Sequence, residues 1–228
     1  MHKLEVIVTS AAEAILAARG GADRLELVRD LDTGGLTPAW ETVRDVCEAV
    51  SVPVRVMVRE NSSMLMANPT ELSTLRRAAA RMSQLPIDGL VMGWIDSSGE
   101  VDVASLESVL AEAPTVRVTF HRAFENLAEP LLGLKILKSF CQIDRILTCG
   151  GFGPWAERKQ RLVTWSEAAA PEIGIIVGGG LSEMEVMELL NDERFPEVHV
   201  GRAARSPQEN DGAIDVEKIA QLKSVCAQ

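Results

Sequence analysis

The four cysteines, Cys47, Cys141, Cys149 and Cys226, form no Cys-x-x-Cys pair and are scattered through 228 residues. That argues against a disulfide scaffold or a dithiol redox motif and predicts free thiols in a reducing compartment. No apolar run approaches the roughly 18 residues of a membrane helix. No apolar signal region follows Met1-His2-Lys3, and His2 reads as part of a frayed terminus. A soluble, cytoplasmic protein is the expectation. Positive charge is also short: the formal net charge is −10, against a general nucleic-acid or anionic-membrane surface. No serine nucleophile elbow occurs, and Gly178-Gly179-Gly180 lacks the spacing of a dinucleotide fingerprint. His121, His199 and Cys149 sit near expected strand ends, but no pair among them has a local spacing that specifies metal geometry. No linker divides the chain, so residues 1–228 are read as one domain.

What is present is an alternation of strand and helix signals. The hydrophobic share of 46% can fill a sizeable core. Strands are expected at Leu4–Thr9, Arg24–Arg29, Pro53–Arg59, Ile87–Trp94, Val116–Arg122, Asp144–Thr148, Ile173–Val177 and Glu197–Val200. Between them lie helix starts: capping-box patterns at Ser10-Ala11-Ala12-Glu13 and Ser182-Glu183-Met184-Glu185, and prolines at Thr37-Pro38, Asn68-Pro69 and Gly153-Pro154. A last amphipathic helix carries Val216, Ile219, Leu222 and Cys226. Eight strand–helix pairs point to an α/β fold, a (β/α)8 TIM-like barrel, with a doubly wound open sheet as the alternative. Ala22-Asp23-Arg24-Leu25, Ile87-Asp88-Gly89-Leu90 and Ile143-Asp144-Arg145-Ile146 precede even-numbered strands, a weak internal echo of βαβα units.

In such a barrel one alternate phase of each strand faces inward. The informative phases are the polar ones: Glu5, Ile7 and Thr9; Glu26 and Val28; Arg55, Met57 and Arg59; Arg117, Thr119 and His121. Pointed inward together, they bring Glu5 and Glu26 to Arg55, Arg59 and His121 in the upper barrel. The two readings are an ion network that fills the barrel and a site. In a site, His121 is a candidate acid/base with a nearby Glu setting its tautomer. Arg59 and Arg122 are candidate clamps for a carboxylate or phosphate. After strands seven and eight, Gly178, Gly179, Gly180, Gly201 and Arg202 read either as tight turns or as an anion site at a helix N-terminus. Gly150-Gly151 exposes further backbone, and the loops Leu31–Gly35 and Asn61–Asn68 lie where they can cover the mouth.

The runs Gly20-Gly21-Ala22-Asp23-Arg24-Leu25-Glu26-Leu27, Gly34-Gly35-Leu36-Thr37-Pro38, Thr119-Phe120-His121-Arg122-Ala123-Phe124, Arg145-Ile146-Leu147-Thr148 and Gly178-Gly179-Gly180 resemble the CutC family over nearly the whole chain. The resemblance implies a TIM-like barrel, cytoplasmic and homodimeric, associated with copper homeostasis and copper binding, with no established reaction. Ile7 and Val28 stand where the resemblance implies copper-binding cysteines in the first two strands. Arg59-Glu60-Asn61-Ser62-Ser63 keeps one arginine of an Arg-rich segment, and Cys149 stands where a serine is common. The retained polar set, Glu5, Glu26, Arg55, Arg59, His121 and Arg122, suits a small anionic ligand, bound or turned over, better than a copper carrier.

Overall fold

A computed structural model describes residues 2–226. Eight parallel strands pair in sequence order, and the first also pairs with the last, closing a barrel. The strands are β1 (Lys3–Val8), β2 (Arg24–Leu27), β3 (Val54–Met57), β4 (Gly89–Met92), β5 (Arg117–Phe120), β6 (Ile143–Thr148), β7 (Gly174–Gly178) and β8 (Glu197–Val200). The helices between and after them are α1 (Ala11–Arg19), α2 (Trp40–Ala49), α3 (Pro69–Met82), α4 (Val103–Leu110), α5 (Pro130–Leu137), α6 (Trp155–Ala169), α7 (Glu183–Leu190) and α8 (Val216–Cys226). A short hairpin of β9 (Arg205–Ser206) and β10 (Ala213–Ile214) precedes α8. Closure between β1 and β8 rules out the open doubly wound sheet. No helix among the described residues is long and apolar enough to cross a membrane.

The core lies between the strands and the helices. Outward-facing Leu4, Val6, Leu25, Leu27, Val54, Val56, Leu90 and Met92 pack against Ala14, Ala17, Val43, Val46, Leu75 and Ala79 of the first helices. The barrel interior has its own, much smaller apolar cluster, Val28, Met57 and Val91, with Ile7 and Leu31 against it. Most remaining inward positions on β1, β2, β3 and β8 are charged. The fold therefore has a greasy jacket around a largely ionic axis.

Several helix starts follow the sequence. Ser182 and Glu185 form a complete capping box on α7, and Pro69 follows its Asn68 cap on α3. At α1 only half of the box forms. Ser10 accepts the Glu13 N–H, but the Glu13 carboxylate turns to Thr9 and Arg205. The second helix begins at Trp40 rather than at Thr37-Pro38, because Thr37 is occupied elsewhere. Its hydroxyl donates to the Arg59 carbonyl at 2.9 Å and accepts the Arg59 N–H at 2.8 Å. The Cys226 side chain lies outside the described residues.

Candidate functional site

A cavity of about 420 Å³ opens at the carboxyl ends of the strands. Its floor and walls include Glu26 from β2, Met57 from β3, His199 from β8, and Arg59, His121 and Arg122 just beyond β3 and β5. Gly179, Gly180, Gly201 and Arg202, after β7 and β8, complete the rim. The structure thus gathers Glu26, Arg59, His121, Arg122, Gly179, Gly180, Gly201 and Arg202 around one space. Glu5, Arg55 and Gly178 do not line it.

The motifs explain how the side chains are held. The Gly34-Gly35-Leu36-Thr37 turn is a cradle for Arg59. Thr37 pins its backbone, Thr33 O accepts from its Nη2 at 2.7 Å, and Asn61 O accepts from its Nε at 2.8 Å. Gly34 has φ +85°, and a Cβ there would lie 3.4 Å from the guanidinium, so the turn favours glycine conformationally. His121 caps a 3-10 turn over Arg122–Asn126. Its Nδ1 accepts the Ala123 N–H at 3.1 Å, and Gly93 leaves room beneath the ring. The Arg122 guanidinium crosses Gly179, where a Cβ would come within 2.6 Å of its Nε. Arg122 is held by Glu125, which also accepts the Cys149 N–H at 2.6 Å.

The Nδ1 contact fixes the tautomer of His121. A neutral imidazole that accepts at one nitrogen carries its proton on the other. Burial, reinforced by the Arg59 charge, lowers the His121 pKa to about 3, so the ring is neutral near pH 7. It is therefore an N–H donor through Nε2, and that atom is buried with no hydrogen-bond partner among the described residues. The expectation that a glutamate sets this tautomer is corrected: the Ala123 amide does.

The glutamates instead hold His199, which sequence reasoning considered only as a metal ligand. Its Nδ1 lies 2.7 Å from Glu5 Oε1, and its Nε2 lies 3.5 Å from Glu26 Oε2. Burial disfavours the imidazolium, but the two carboxylates outweigh it and raise the His199 pKa. For Glu5, burial is overcome by Arg24 and His199, which hold it well below the usual carboxylate range. For Glu26, burial dominates, and the nearby Glu5 charge adds to it, raising its pKa to about 7. Glu26 Oε1 has no hydrogen-bond partner among the described residues.

Below the cavity these groups continue into a row of alternating sign. Glu5 pairs with Arg24, and Arg24 with Glu197 at 2.6 Å. Arg145 bridges Glu197 at 2.8 Å and Asp144. Arg55 grips both Asp144 oxygens at 2.8 Å and reaches Asp88 at 2.8 Å. Arg55 was expected beside Glu5 and Glu26 in the upper barrel. It lies instead at the amino-terminal end of the strands, also donating to Thr119. Its in-register neighbour is Glu26, but strand tilt in a closed barrel sets paired residues at different heights. The weak echo before β4 and β6 has a physical meaning here: Asp88 and Asp144 both serve Arg55.

The expected anion site at a helix N-terminus is altered in the same way. Glu185 accepts from the Ser182 N–H at 2.6 Å, so the chain's own carboxylate sits where an anion would. Gly178 acts through packing: a Cβ there would meet the His199 Cβ at 2.6 Å. Arg202 is the exposed cation of the rim, with no ion pair among the described residues.

The donors do not suit a resident copper ion. Ile7 and Val28 offer hydrocarbon, packed in the interior cluster. Both nitrogens of His199 face carboxylates. The Cys149 thiol is pushed up by burial, which favours the protonated, weakly ligating form. Among the described residues no group of three or more His, Cys, Asp or Glu is placed to hold a metal.

The model of the CutC family matches residues 2–204. A CutC family protein of Xanthomonas axonopodis pv. citri is 34% identical over 198 residues, covering 86% of this chain and 81% of its own. The human copper homeostasis protein cutC homolog is 32% identical over 208 residues, covering 91% and 75%. A crystal structure of CutC from Streptococcus agalactiae superposes with a TM-score of 0.81 at 23% identity, covering 88% of this chain and 98% of that one. Phosphoribosyl anthranilate isomerase from Thermococcus kodakaraensis shares the barrel more distantly, with a TM-score of 0.62 at 16% identity, covering 99% and 98%.

Proposed function

Because the chain belongs to the CutC family, we propose that it serves in copper homeostasis, as the human relative's name states for that protein, and that it does so by binding a small organic anion rather than a resident metal. One observation carries this reading. The cavity combines three arginines, Arg59, Arg122 and Arg202, with two buried polar atoms that lack protein partners, Glu26 Oε1 and His121 Nε2. Buried polar atoms are nearly always satisfied, so two exceptions on residues that line one cavity are best satisfied by a ligand. The arginines supply the charge complement for a carboxylate or phosphate.

Thermal unfolding with a panel of small carboxylates and phosphate esters tests this. An anion present at 100 times its Kd adds about 2.7 kcal/mol of stability. Arg202→Ala should weaken that protection about tenfold or more without lowering the melting temperature of the free protein. If no panel member protects, the anion reading fails. A parallel Cu(I) titration tests the other half. Stoichiometric binding that survives His121→Gln and Cys149→Ser would support a metal role outside this cavity.

A further inference from the structure

We propose that the cavity catalyses enolisation, the transfer of a proton from a carbon next to a carbonyl, in a small anionic α-hydroxycarbonyl compound, with Glu26 as base and the His121 Nε2–H as donor to the carbonyl oxygen. The inference rests on the anion reading above and assigns the chemistry that reading leaves open. Two unlike groups belong to residues that line the same space. Glu26 Oε1 is an unpartnered acceptor from β2, and His121 Nε2 is an unpartnered donor at the end of β5. Three strand spacings around the ring separate them, so they approach a bound molecule from different sides.

Each is prepared for its part by its neighbours. His199 lies between Glu5 and Glu26 and contacts Glu26 only through Oε2. Oε1 is left as the atom free to take a proton. With its pKa about 7, Glu26 is a stronger base than an ordinary carboxylate and still ionises near neutrality, the range that suits acid–base catalysis. His121 cannot serve as the base, since its Nδ1 accepts the Ala123 N–H. A neutral imidazole N–H aimed at a carbonyl oxygen, opposite a glutamate base, is the pairing that proton-transfer isomerases use. His199 and Glu5 act as positioning residues.

The step balances without a cofactor. Glu26 removes the proton, the C–H pair becomes the C=C bond, and the carbonyl π pair moves to oxygen. The Nε2–H of His121 bonds to that oxygen as negative charge develops. Glu26 then returns the proton to the same carbon, giving exchange, or to its neighbour, giving isomerisation once a hydroxyl proton has shifted between the two oxygens.

Two probes of the full chain test this. Phosphoglycolohydroxamate mimics a phosphorylated enediolate, and glycerol 3-phosphate carries the same phosphate on a tetrahedral carbon without that planar geometry. The wild type should bind the first at least about 100-fold more tightly. Proton NMR in D2O with dihydroxyacetone phosphate, hydroxypyruvate and ribulose 5-phosphate should show deuterium entering the α-carbon of at least one compound. That exchange should fall about 100-fold or more in Glu26→Gln and about tenfold or more in His121→Gln. His199→Asn should move the pH midpoint of exchange, which a purely structural role would not do. Equal affinity for phosphoglycolohydroxamate and glycerol 3-phosphate without exchange overturns enolisation while the anion site stands. No binding of any probe overturns both. Exchange that persists unchanged in Glu26→Gln overturns the assignment. If Glu26→Gln does not fold, the ratio of the two affinities in the wild type decides alone.

Discussion

His199 Nδ1 lies 2.7 Å from Glu5 Oε1, and through that contact the last strand of the barrel is joined to the first by side chains as well as by backbone. Glu5 also pairs with Arg24, so one carboxylate fixes both an imidazole at the cavity floor and a guanidinium beneath it.

Replacing Glu5 by glutamine should therefore be costly. Arg24 and His199 would share one neutral acceptor in a buried place. Removing one partner from a buried ion pair typically costs about 3–5 kcal/mol. Urea unfolding at neutral pH should show a loss of that order. A loss below about 1 kcal/mol would mean that the contact adds little.

Arg55→Met separates the barrel's two ends. It removes the partner of Asp88 and Asp144, whose carboxylates are partly exposed, so solvent softens the loss to about 1–3 kcal/mol. Anion protection should be unchanged, because Arg55 is remote from the cavity. Loss of protection at full folding would contradict the separation.

Acid should act through His121. Its pKa falls from an ordinary 6.5 to about 3 on folding. Between these values the unfolded chain holds more protons, so stability declines as pH falls. At pH 5 the deficit from this residue is about 2 kcal/mol. Glu26 has the opposite sign: with its pKa raised to about 7, its contribution is present below pH 4.5 and is lost as pH rises through 7. Unfolding of His121→Gln from pH 6.5 to 5 should show a flatter slope than wild type.

Two glycines should fail for different reasons. Gly178→Ala forces a Cβ to 2.6 Å from the His199 Cβ, an overpacking that costs about 1–3 kcal/mol and disturbs the imidazole. Gly180→Ala meets nothing nearer than 3.8 Å but keeps φ at +69°, a strain of roughly 1 kcal/mol. The first should lower both stability and anion affinity. The second should lower stability by less and, on the cavity rim beside Arg202, change anion affinity only modestly.

The barrel was legible because strand and helix periods alternate eight times and because Pro and Ser mark most helix starts. Residues at the strand tips, Arg59, His121 and Arg122, were legible from their place beyond apolar runs. Arg55 was misplaced because alternation says which way a side chain points but not at what height, and height is set by barrel tilt. His199 is hard to place from sequence because a lone histidine at a strand end reads first as a metal ligand. Its inward phase, shared with Glu197 two residues earlier, was the available signal. The Gly34–Thr37 turn looked like a helix start because Pro38 masked the pinning of Arg59 by Thr37. Glu125 gave no sign in sequence, since its partners Arg122, Thr148 and Cys149 come together only through the 3-10 turn.

The row from Glu26 through His199, Glu5, Arg24, Glu197, Arg145, Asp144 and Arg55 to Asp88 draws on strands from both halves of the chain. A nascent chain that ends before β6 gives Arg24 only Glu5 and Arg55 only Asp88, one of the two carboxylate partners that each has in the closed barrel. The row is thus complete only when synthesis is almost finished, and a fragment cut midway should stay soluble and folded only when its missing half is supplied in trans.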